Sequence, residues 1–200
     1  MFEDSYRTIA KPAEGSYSEK RSKFLAYAFP VQDEQEVKRR LAEIQKKHWD
    51  ARHHCYAYIL GAHKDAYRLN DNGEPSGTAG RPIYGQLLSK DLTNTLVVVV
   101  RYFGGIKLGV GGLQNAYKVA AREALDAAVI EERTVQETYR VTFEYVKMND
   151  IMQILKDPDV QVLDRQSYMQ CIYTISVRQR EADRITGALR KVPMTTVEGL

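Results

Sequence analysis

The chain has only two cysteines in 200 residues, Cys55 and Cys171, far apart and in no C-x-x-C pair. That scarcity excludes a disulfide scaffold and fits a reduced, cytoplasmic compartment. No run approaches the ~20 apolar residues of a membrane span. The start, Met1-Phe-Glu-Asp-Ser5, lacks the basic end and apolar core of a signal peptide, so no membrane partner is expected. Charge of one sign is also scarce: 29 Lys+Arg against 26 Asp+Glu leave a net charge of +3, far from that of a dedicated nucleic-acid arm. The small excess is unevenly placed. Residues 1–130 hold 19 basic against 15 acidic side chains and residues 131–200 hold 10 against 11, so a polyanion would prefer the first part. There is no internal repeat and no low-complexity segment.

What the chain has is glycine in one place. Arg101-Tyr-Phe-Gly-Gly-Ile-Lys-Leu-Gly-Val-Gly-Gly-Leu113 follows the most apolar run, Leu96–Val100, which is mostly β-branched as in a strand buried on both faces. Leu113, Ala116, Tyr117, Ala120, Ala124, Leu125 and Ala128 then recur at helical spacing, a small-residue face running to about Ile130. A buried strand turning into a buried helix through glycines gathers backbone N–H groups at a helix N-terminus, where an anion is favoured.

The rest of the chain divides around that segment. Residues 1–16 read as a loose lead-in. Lys23–Phe29 reads as a strand closed by Pro30, and Asp33 with Glu36 caps a helix striped by Val37, Leu41 and Ile44. The helix macrodipole accounts for the acids at its start and for Lys46, Lys47 and His48 at its end, against the alternative of a ligand-facing basic surface. His53–Leu60 alternates as a strand, with Ala66–Leu69 as a short partner, and Pro82 opens a helix through Leu88. Residues 131–137 read as a charged linker. Beyond it the order is strand, helix, strand, strand, helix, strand, the ferredoxin-like order. The expectation is an α+β protein of two domains, 1–130 and 138–200.

Two loops carry the candidate chemistry. Around the glycine loop, Gly104, Gly105, Gly109, Gly111 and Gly112 supply backbone donors. Gln114, Lys118 and Arg122 share one helix ridge, while Arg101, Tyr102, Phe103 and Lys107 add charge and stacking faces. The loop matches neither a P-loop, since Val110 and Gly111 follow Gly109, nor a dinucleotide fingerprint, since Gln114 stands where glycine is required. An anion surface and plain close packing of backbone both remain open. The second loop offers Asp71, Gly73, Glu74, Pro75, Ser76, Gly77, Thr78, Gly80 and Arg81. Carboxylates beside hydroxyls suit a metal or acid–base site, but the spacing is not that of an EF-hand and no base partner is assignable, so a structured recognition loop is favoured. His53 and Cys55 share a strand face that His54 does not, which disfavours a joint zinc site; a packed histidine is preferred over a Cys–His nucleophile pair. No metal or cofactor is expected.

These residues resemble the IMPACT/YigZ family (UPF0029). The likeness rests on Asp71-Asn-Gly-Glu-Pro-Ser-Gly-Thr-Ala-Gly80, on Val98–Leu113 with Ala116-Tyr117, and on Ser22-Lys-Phe24 and His54-Cys-Tyr-Ala-Tyr58. It implies a first domain like ribosomal protein S5 domain 2 and a second like the last domain of elongation factor G. Both folds recur in translation factors and RNA-binding proteins, and eukaryotic relatives regulate translation initiation under stress. The chain departs from the pattern at Asn72, where a second Asp is usual, and at Gln114-Asn115, where Val-Arg is common. The function so implied is binding of RNA, a ribosome or a translation factor, without catalysis. Two alternatives stand beside it. One is an enzyme acting on small-molecule or nucleotide phosphates, which related kinases suggest, although Gln114 and Asn115 replace their hydroxyl residues. The other is a protein–protein adaptor or inhibitor of a regulatory kinase.

Overall fold

Residues 4–200 are described in a computed structural model of the chain, and they divide into two compact units, 6–133 and 134–200, the latter with residues 4 and 5. In the first, strands β1 (Ser5–Ile9), β2 (Ala13–Glu19) and β3 (Ser22–Pro30) lead to helix α1 (Glu34–Lys47). Strands β4 (His53–Leu60) and β5 (Ala66–Asn70), helix α2 (Gly80–Ser89), strand β6 (Thr95–Tyr102), helix α3 (Gly109–Asp126) and strand β7 (Ile130–Thr134) follow. Five strands form an antiparallel sheet in the order β2-β3-β6-β4-β5, and β1 pairs with β7.

Strand β6 is central, which explains its unbroken apolar run: Leu96 to Val100 are fully buried because the sheet is covered on both faces. Cys55, Ala57, Ile59, Val97 and Val99 pack with α2 and α3. Tyr58, Leu60, Leu96, Val98 and Val100 pack with Val37 and Ile44 of α1. Helix α1 starts as its sequence dictates: Asp33 accepts the Glu36 N–H at 2.8 Å, and Glu36 reaches back to the Gln32 N–H at 3.0 Å. The alanine face of α3 lets that helix lie directly on β2, where a Cβ on Gly15 would come within 2.3 Å of the Ala124 nitrogen. Between β2 and β3 the chain reverses through Lys20 and Arg21 alone, at φ 44° and 66°. The left-handed region costs an L-residue roughly 1–2 kcal/mol.

Two expectations are corrected here. The lead-in is not loose, since residues 5–9 and 13–19 are strands; residues 1–3 lie outside the described residues. The division between the two units, at 133/134, falls within residues 131–137, which are extended chain of β7 and the start of the next strand with Val135 between them. Helix α3 stops at Asp126 rather than near Ile130, although Ala128 and Ile130 still pack on the core.

The second unit runs β8 (Gln136–Phe143), α4 (Met148–Ile154), β9 (Val160–Ser167), β10 (Cys171–Arg178), α5 (Ala182–Arg190) and β11 (Thr195–Gly199). The β-α-β-β-α-β order is as expected, and the strands lie antiparallel as β11-β8-β10-β9. Val141, Phe143, Ile175 and Val177 bury one sheet face against Ile151, Ile185 and Leu189. Asp4 is tied into this unit, accepting two hydrogen bonds from Arg178, at 2.7 and 3.0 Å. The Arg178 guanidinium holds the Asp4 carboxyl below its ordinary 3.8. A depressed carboxylate stabilises the fold above its unfolded pKa, and the contribution is lost as pH falls through the folded value. Asp4→Asn should therefore speed hydrogen exchange of the β10 amides at pH 7, and the difference from wild type should vanish as the medium is acidified past the folded pKa.

Candidate functional site

The loop between β5 and α2 is ordered by its own side chains. Asp71 accepts the N–H groups of Gly77, Ala79 and Gly80 at 2.9, 3.0 and 2.8 Å, capping α2 from a distance. Asn72 accepts the His54 N–H with its side chain at 2.7 Å, and its carbonyl accepts His53 Nδ1–H at 2.9 Å. The Thr78 hydroxyl donates to the Pro75 carbonyl at 2.6 Å. Asp71 is thus engaged by backbone donors rather than open to a metal, and Asn72 fastens the loop to β4 through its side-chain oxygen and its carbonyl, both acting as acceptors.

Held this way, the loop turns Glu74 inward. Its side chain is 4% exposed and meets Arg101, 7% exposed, at 2.7 Å, while the Tyr117 hydroxyl of α3 donates to the same oxygen at 2.7 Å. His53 Nε2 lies 4.0 Å away. Arg101 stacks on Phe24 and Phe103, and its Nε has no hydrogen-bond partner. Below it Cys55 donates to the Asp71 carbonyl at 3.0 Å. Burial pushes the Cys55 thiol up to about 12 and raises the Tyr117 phenol further. Both stay protonated donors at neutral pH. His53 faces Glu74 and the loop backbone rather than the thiol, so no Cys–His nucleophile pair is assembled.

Two expected contacts are therefore corrected, Arg101 with phosphate and Tyr102 as a stacking face. Arg101 is buried in an ion pair, because strand alternation from Val97 and Val99 turns it to the α2/α3 face. Tyr102 is on the other face, hydrogen-bonded to His48 at 2.8 Å and Asp50 at 3.0 Å, and offers no free ring for stacking. Gly104 obeys the packing reading: a Cβ there would come within 2.1 Å of the Arg21 backbone. Gly105 and Gly109 take φ of 88° and 75°, where side chains are disfavoured.

The remaining residues make a surface. Phe103 is 54% exposed, and Lys107, Lys118 and Arg122 point outward. Helix α3 opens at Gly109 with no side-chain cap and no acid in its first turn; α1 is capped by Asp33 and carries acids there, while α2 has no acid in its first turn but gives the N–H groups of Ala79 and Gly80 to Asp71. A groove of about 390 Å³ beside it is lined by Gly77, Arg81, Pro82, Gly111, Gln114, Asn115 and Lys118. The two loops thus meet, and the Gln114 amide is 3.5 Å from the Gly77 carbonyl. Ser76 stays exposed on the loop, and Gly112 packs on its own Leu108. Arg122 lies outside the groove lining, 3.8 Å from Glu123. Among the described residues, Arg81, Lys107 and Lys118 have no ion-pair partner.

The Impact N-terminal domain family matches residues 20–125, a span that holds this whole site. The chain belongs to the IMPACT family. It is 37% identical over 153 residues to IMPACT family member YvyE of Bacillus subtilis (strain 168), covering 76% of this chain and 70% of that protein. To IMPACT family member YigZ of Escherichia coli (strain K12) it is 35% identical over 147 residues, 72% of each. A crystal structure of a hypothetical protein overlays 100% of this chain and 98% of its own with a TM-score of 0.75 at 27% identity.

In this IMPACT family member the buried pair should dominate local stability. Glu74→Ala leaves Arg101 charged and unpaired, and should lower unfolding free energy by about 3–5 kcal/mol in urea titrations. Wild-type Cys55 should resist a thiol reagent until unfolding, and Glu74→Ala should expose it to reaction at lower urea.

Proposed function

We propose that this protein binds RNA of the translation apparatus, free or on the ribosome, through the groove at the N-terminus of α3, and that it has no catalytic step. On this reading the first unit is a ribosomal protein S5 domain 2-like fold and the second a ferredoxin-like fold similar to the last domain of elongation factor G. The observation that carries the reading is an uncapped helix N-terminus, free of acids, in a groove edged by the unpaired cations Arg81 and Lys118. Backbone donors and the macrodipole favour a phosphate there, and the two cations add the sequence-independent attraction of a polyanion. The adjoining Phe103 ring offers a stacking face.

The sheet face of the second unit turned away from its helices carries Arg140 between Thr174 and Glu198, with Asp164 one strand further. Its mixed charge supports assigning the polyanion to the first unit. Phosphoryl transfer is disfavoured because Gln114 and Asn115 offer amides where a metal-coordinating hydroxyl is wanted, and Asp71 is already engaged by three N–H groups.

Binding of single-stranded RNA and of ribosomes across a salt series tests the reading. Arg81→Gln/Lys118→Gln removes two contacts, so the slope of log affinity against log salt should shrink by about 1.4, with the unfolding midpoint unchanged because both side chains are at the surface. Affinity indifferent to salt, or unchanged in the double variant, would move the function to a protein partner.

A further inference from the structure

The Lys20-Arg21 turn between β2 and β3 works against its own backbone. Glu19 pairs with Ser22, leaving two residues to reverse the chain, and both sit at positive φ, 44° and 66°. A two-residue turn of this kind favours Asn-Gly, because glycine and asparagine enter that region with least strain. This chain places two long cationic side chains there instead. Both are exposed, and among the described residues neither makes an ion pair. Among the described residues no ion pair of either side chain compensates the strain, and strained backbone of this kind clusters where a residue has work to do.

The position of the turn indicates what that work is. Gly104 lies on the Arg21–Ser22 peptide so closely that any side chain at 104 would strike the Arg21 backbone. The Gly104 N–H donates to the Ser22 hydroxyl at 3.2 Å, and the same oxygen is 3.5 Å from Arg101 Nη2. Ser22 is fully buried. The turn is therefore not a free hairpin tip: it is fastened to the start of the glycine loop, next to exposed Phe103, while the other end of that loop opens α3 at the groove. We propose that the Lys20-Arg21 turn is a second phosphate contact for single-stranded RNA, continuing the strand from the α3 groove past the Phe103 ring. This rests on the RNA reading above and adds a site on a different element.

Lys20→Asn/Arg21→Gly separates the two roles of the turn, since it relieves the backbone while removing both charges. Fluorescence anisotropy with a labelled 15-nucleotide oligouridylate would be measured from 0.05 to 0.3 M salt, alongside thermal unfolding. The variant should melt no lower than wild type, yet bind about 25-fold more weakly at 0.1 M salt, with the salt slope reduced by about 1.4, as expected for two single-strand phosphate contacts. Lys20→Gln/Arg21→Gln, which keeps the strain and removes the charge, should lose the same affinity. Phe103→Ala should weaken binding with the slope intact, because stacking releases no counterions. If oligouridylate binds wild type and weakens with Arg81→Gln/Lys118→Gln but not with either turn variant, the turn is no phosphate contact and the groove reading stands. If wild type binds no RNA at any salt, both readings fall together.

Discussion

The Arg101–Glu74 ion pair is the constraint on which the first unit's site depends. A guanidinium and a carboxylate, each more than nine-tenths buried, hold together only with good geometry and further hydrogen bonds. The supporting contacts come from several elements. The Tyr117 hydroxyl brings in α3, Ser22 brings in the start of β3, and Phe24 and Phe103 close over the guanidinium. The loop delivers Glu74 inward because Asp71 gathers three N–H groups behind it. One buried charge pair thus fixes the end of β6, the α2 entry loop and the α3 entry loop against each other. The unpartnered Arg101 Nε is the residual cost, about 1–3 kcal/mol for a buried donor left unmade.

That arrangement divides the glycines and the cations by role. Gly104 allows two stretches of backbone to touch, whereas Gly111 meets nothing within 4 Å of where a side chain would begin and stands in the groove lining. Arg101 is spent inside, so the ligand-facing charge around the groove has to come from Arg81, Lys107 and Lys118, which come from three different segments. Pairing one arginine internally is what orders the surface that presents the others.

Much of this was legible in the chain. The central strand, the alanine face of α3, the Asp33 cap and the order of the second unit follow from periodicity and capping, and they appear as read. Strand β2 was hidden because Ala13–Glu19 alternates small and polar residues rather than large apolar ones; its Gly15 serves the approach of α3, which no local pattern announces. Strand β7 was hidden by Glu131, Glu132 and Arg133, charges that a half-buried strand of a two-stranded pair tolerates. The direction of Arg101 was within reach, since counting by twos from Val97 and Val99 puts it on the α2/α3 face. Its partner was not, because Glu74 is 27 residues away and only the folded loop turns it inward.

The two helices that meet at the groove are not equivalent toward an anion, and that inequality gives the proposed site a direction. The N–H groups entering α2 are taken by the Asp71 carboxylate, which also places a negative charge behind them. Those of α3 are unclaimed and no acid lies in its first turn. A phosphate entering between them is drawn to the α3 wall, toward Gly111 and Lys118, and repelled from the α2 entry. The opposite wall, with Gly77 and Pro82, is left for the less charged parts of the ligand, and Arg81 stands on that side as its one cation. A groove of this kind reads phosphate position and chain direction. It holds few side chains able to read a base edge, Gln114 and Asn115 being the amides within it, so discrimination among sequences has to come from elsewhere on the ligand.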